Sequence, residues 1–145
     1  LRHSSAASDV YKRQDHATLE SLVSGSAISS IYKSLVNKDI SSEEIYEKFI
    51  NKEEIATEVI NGFLKSLAET LSDLALTFLP GDGILLAGSL MRRIFHDLNI
   101  DEFNDTFLKT KSNTHQVILE KISIGVITKE RTPLYGNFYL FKTKY

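Results

Sequence analysis

Apolar residues recur every three or four positions along much of the stretch from His16 to Phe78, the spacing of helices with one packed face. Leu19, Leu22 and Val23 make a short apolar face, and Ile28, Ile31, Tyr32 and Leu35 make a second. Ser24-Gly25-Ser26 breaks the two pieces apart. Ser24 is suited to cap the second piece, and Gly25 lets backbone pass close to a neighbour. A third short helix is expected over Asp39 to Asn51, where Ser41 and Glu44 form an S-x-x-E capping pattern ahead of Ile45 and Phe49. Asn51 and Glu54 repeat that pattern as N-x-x-E and are expected to open the longest helix, Lys52 to Leu79. Its stripe is Ile55, Val59, Ile60, Phe63, Leu64, Leu67, Leu71, Leu74, Ala75 and Phe78. Glu53, Glu54, Glu58, Lys65, Glu69 and Asp73 lie mostly off it, so one face packs and the other is wet. The stripe reads as core, and Pro80-Gly81 stops the helix.

The pattern then changes. Gly83 to Ala87, GILLA, has no polar alternation and predicts a short strand covered on both faces. Helical signals return over Leu90 to Leu98 and again over Asp101 to Leu108. Lys109 to His115 reads as polar loop and Val117 to Leu119 as a brief strand or turn. Ile122 to Thr128, ISIGVIT, is rich in β-branched residues and predicts a second strand. Lys129 to Thr132 is a charged loop. Pro133-Leu134-Tyr135-Gly136 opens a last helical segment toward Phe141, whose aromatics also suit an extended end. No internal repeat is visible. The order is that of a helix-rich α/β unit with a few strands. Two strands alone make a poor sheet, so further strands are expected upstream or in a partner.

Composition narrows the function classes. The 145 residues suffice for a domain with a real core, and 42% apolar with 25% charged residues is ordinary for a globular protein. A net charge of −2 makes no electrostatic case for nucleic acid. The absence of cysteine excludes a disulfide scaffold and a thiolate zinc site. His3, His16, His96 and His115 are scattered with no i, i+4 pair, so no metal site is assigned. No apolar run reaches the roughly 18 residues of a membrane span, and no secretory signal opens the chain. A cytoplasmic protein without membrane association is expected. The sequon Asn104-Asp105-Thr106 therefore carries no weight.

The first fourteen residues, LRHSSAASDVYKRQ, show no clear period and almost no large apolar residue. SAASDVYKRQ resembles a translated adapter sequence that recurs at the ends of assembled metagenomic reading frames. Residues 1–14 are therefore expected to be a non-native or disordered tail, and 15–145 the domain proper, with the natural protein extending further upstream.

The most suggestive local feature is the corner where GILLA meets the next helix through Ala87-Gly88-Ser89. Side-chain-poor residues there suit a ligand lying against backbone, as at a nucleotide corner. They equally suit a tight strand-to-helix turn. Neither G-x-x-x-x-G-K-[ST] nor G-x-G-x-x-G is present, which excludes the two common phosphate loops.

Four stretches in order resemble one family. GILLAGSLMRRI is similar to the strand–Gly-Gly–helix segment of bacterial glucokinases. Glu20 through Tyr32 is similar, without a gap, to the family's E-x-x-L-S-G-x-G-L-x-x-x-Y. LAETLSDLALTF resembles the end of its long helix, and Thr132-Pro133-Leu134-Tyr135-Gly136 its closing P-G-L-L-G. The resemblance implies the C-terminal part of an actin/hexokinase-like ATPase (ribonuclease H-like) domain. It implies transfer of the γ-phosphoryl group of ATP, with Mg²⁺, to the 6-hydroxyl of glucose or a related hexose. Glu20 matches a glutamate that accepts hydrogen bonds from sugar hydroxyls; otherwise it reads as a solvated helix charge. Ala87, Gly88 and Ser89 match the adenosine side of the ATP site, and Gly136 matches a turn near it.

Ser89 stands where the family has a second glycine, Arg92 where it has proline, and Ala27 where it has glycine. The family's D-x-G-G-T phosphate loop and base aspartate have no counterpart in these 145 residues, so no catalytic residue is assigned and the chain alone is expected not to turn over. The alternative is a non-catalytic sugar- or nucleotide-binding module diverged from the sugar kinases. The long apolar helix is compatible with a homodimer interface and with core alike.

Overall fold

A computed structural model describes residues 21, 23–109 and 112–144. The expected foreign tail 1–14, most of the first helical piece, and Glu20 lie outside the described residues. The order is α1 (Gly25–Val36), α2 (Ser42–Ile50), α3 (Glu54–Phe78), β1 (Ile84–Leu86), α4 (Ser89–Ile94), α5 (Ile100–Leu108), α6 (Asn113–Leu119), β2 (Ile124–Val126) and α7 (Thr132–Lys144). The chain divides into two compact units, Leu1–Leu67 and Ala68–Tyr145.

In the first unit the helix starts are set by side chains. The Ser24 hydroxyl accepts from the Ala27 N–H at 3.2 Å and begins α1 as expected. Ser41 and Glu44 form the full capping box of α2: Ser41 Oγ accepts from Glu44 N, and Glu44 Oε2 accepts from Ser41 N at 3.1 Å. Asn51 departs from expectation. It is the C-cap of α2, and its amide Nδ2 donates back to the Glu47 carbonyl at 2.9 Å, so it does not cap α3. The orphan carbonyls at the end of α2 take the Asn51 side chain first, and Lys52 at φ 60° turns the chain into α3. α1 packs on α2, and Ala27, Ile28, Tyr32, Ile45, Ala56, Val59, Ile60, Phe63, Leu64 and Leu67 are buried. Ile31 and Leu35, expected on the inner face of α1, are exposed.

In the second unit Ala68, Leu71 and Ala75 continue the buried stripe of α3. The stripe is thus filled as core through Leu71, with Ala75 also buried. Leu74 and Phe78 of the stripe are exposed, and Leu79 at φ 48° reverses the chain before Pro80. Strands β1 and β2 pair in parallel, Ile84 with Ile124, Leu85 with Gly125 and Leu86 with Val126. The expectation that β1 is covered on both faces fails. Successive side chains alternate between faces, so Ile84 and Leu86 are half-buried while Leu85 points the other way and is 70% exposed. α5 packs on α6 with Phe103, Phe107 and Leu119 buried.

The segment expected to be loop and then strand, Lys109 to Leu119, instead carries α6 from Asn113. Ser112 caps it by accepting from His115 N at 3.3 Å, and Leu119 alone turns inward. α7 runs to Lys144, past Phe141, which resolves the last segment as helix. Leu134, Tyr135, Phe138, Tyr139 and Leu140 on it are exposed. None of the described helices is long and apolar enough to cross a membrane.

Candidate functional site

Parallel pairing places the carboxyl ends of β1 and β2 at one edge of the sheet. The Ile127 N–H donates to the Leu86 carbonyl at 2.8 Å, so both chains leave the sheet side by side. Crevices outside the carboxyl ends of parallel strands are where α/β folds bind ligands. From β1 the chain passes through Ala87 and Gly88 into α4, whose first residue is Ser89. Ala87, Gly88 and Ser89 are all exposed. Gly88 has φ 134° and ψ 156°, backbone open to glycine almost alone, and a Cβ there would meet nothing within 4 Å. Its lack of a side chain therefore answers a backbone requirement and leaves the corner open.

From β2 the chain passes through Thr128 to a basic turn and then α7. A cavity of about 710 Å³ is lined by Lys129, Glu130, Arg131, Thr132 and Tyr135. Thr132 Oγ1 donates to the Lys129 carbonyl at 2.9 Å, and Tyr135 N–H donates to the Arg131 carbonyl at 3.1 Å. Gly136 follows at once on α7, exposed and with open space where a Cβ would be. Of the expected site residues, Ala87, Gly88 and Ser89 lie together at the β1 exit, Gly136 lies one residue beyond the cavity wall, and Glu20 lies outside the described residues.

From sequence, Lys129 to Thr132 reads only as a charged loop. The signal available there was two cations within three residues just past a β-branched strand. Among the described residues no three or more His, Cys, Asp or Glu side chains gather as a metal site, so no chemical step is assigned to a metal held by them.

A second polar cluster sits in the first unit. The buried Tyr32 hydroxyl donates to Glu53 Oε1 at 2.8 Å, and Lys48 Nζ donates to Glu53 Oε2. The hydrogen bond from Lys48, then that from Tyr32, holds the Glu53 carboxyl below its ordinary range. The hydrogen bond to Glu53, then burial, pushes the Tyr32 phenol up. This cluster ties α1 to the junction of α2 and α3. Tyr32 was foreseen as an apolar stripe member; its polar partner, 21 residues away, was not.

Fold and site together define a helix-rich α/β unit with a small-residue corner and a basic turn at the carboxyl edge of its two parallel strands. A solved glucokinase from an Antarctic psychrotroph has this fold: the match covers 94% of this chain with a TM-score of 0.73 at 23% identity. It covers 44% of that glucokinase, so the chain spans less than half its length. The sequence model of the glucokinase family matches residues 4–144, and the chain belongs to that family. No curated protein matches it.

Proposed function

We propose that the chain is the nucleotide-side portion of a cytoplasmic glucokinase-type phosphotransferase that moves the γ-phosphoryl group of ATP to the 6-hydroxyl of glucose or a related hexose. The observation that carries this reading is the open corner at Gly88, set at the carboxyl edge of two parallel strands in a chain of the glucokinase family. In this reading Ala87, Gly88 and Ser89 offer an adenosine backbone with only small side chains beside it, and Gly136 on α7 contributes a further position near the nucleotide. Glu20 accepts hydrogen bonds from sugar hydroxyls, a role a carboxylate fills without carrying a proton. Mg²⁺ accompanies the nucleotide as part of the substrate.

Phosphoryl transfer depends on holding donor and acceptor in line and on stabilising charge around the phosphates. The corner and one sugar contact supply only part of that positioning, and no residue of the 145 is assigned as the base that takes the hydroxyl proton. The expected result is therefore that the chain binds ATP but does not turn over. Incubating it with glucose and ATP-Mg²⁺ while following glucose 6-phosphate tests the second half of this statement. Steady product formation refutes it. Binding of ATP that is lost in Gly88→Val supports the corner assignment, and unchanged binding in that variant removes it.

A further inference from the structure

We draw no further inference here: the strongest candidate, the exposed apolar surface of α7 formed by Leu134, Tyr135, Phe138, Tyr139 and Leu140, carries none because nothing in the structure shows what covers it.

Discussion

Gly83 offers the sharpest test of how the sheet edge is built. It sits just before β1 at φ 88°, and a Cβ built there would lie 2.6 Å from the Ser123 carbonyl oxygen. That same oxygen accepts the Ile84 N–H at 2.8 Å, the first rung between the strands. In Gly83→Ala the carbonyl must retreat by at least 0.4 Å to reach the 3.0 Å floor of real Cβ contacts (3.0 − 2.6 = 0.4). A left-handed backbone costs an L-residue about 1–2 kcal/mol. The stretched rung adds about 1 kcal/mol. The loss of glycine's freedom in the unfolded chain returns about 0.4–1 kcal/mol. The net expectation is a destabilisation of about 2 kcal/mol. Gly88→Ala is the control, for it shares the positive φ but meets no atom within 4 Å. It should show backbone strain alone, which at φ 134° and ψ 156° is itself about 1–3 kcal/mol. Urea unfolding followed by circular dichroism reads both through the midpoint at constant m. If Gly83→Ala stays within 0.5 kcal/mol of wild type, the argument from the Ser123 carbonyl is wrong.

Three further outcomes are expected. Tyr32→Phe should lower Tm by roughly 2–4 °C, the shift of one lost hydrogen bond in a chain of this size. Because Glu53 is held below its ordinary range, its contribution is complete above the unfolded glutamate pKa and is lost as pH falls through the lower folded value. Glu53→Gln should therefore differ from wild type less at acid pH than at neutral pH, and an equal loss at both refutes the linkage. Gly136→Ala should stabilise α7 by about 0.5–1 kcal/mol, since the site is helical, exposed and uncrowded. The same change should weaken ATP binding if Gly136 borders the nucleotide, which titration with ATP decides.

Sequence alone determined the features that depend on neighbours three or four residues apart. Ser24 and the Ser41–Glu44 pair begin helices because their partners lie within one turn. The stripe from Val59 to Leu71 is buried because helical period sets one face inward, and the chain turns at Pro80-Gly81 because neither residue favours continuing a helix. The four collinear motifs identified the glucokinase family for a similar reason: they are strings of local residues.

What tertiary structure decided involves partners far apart or competing at one place. Asn51 had two helix ends within reach, and the carbonyls of α2 took it. The exposure of Leu85 and Phe78 depended on what lies over them, which no periodicity encodes. Pairing between β1 and β2, about 40 residues apart, placed Lys129 and Arg131 at the edge that holds Gly88. Hydrogen-bond capping is a short-range energy that a few residues carry whole, whereas a binding edge exists only once distant strands have met.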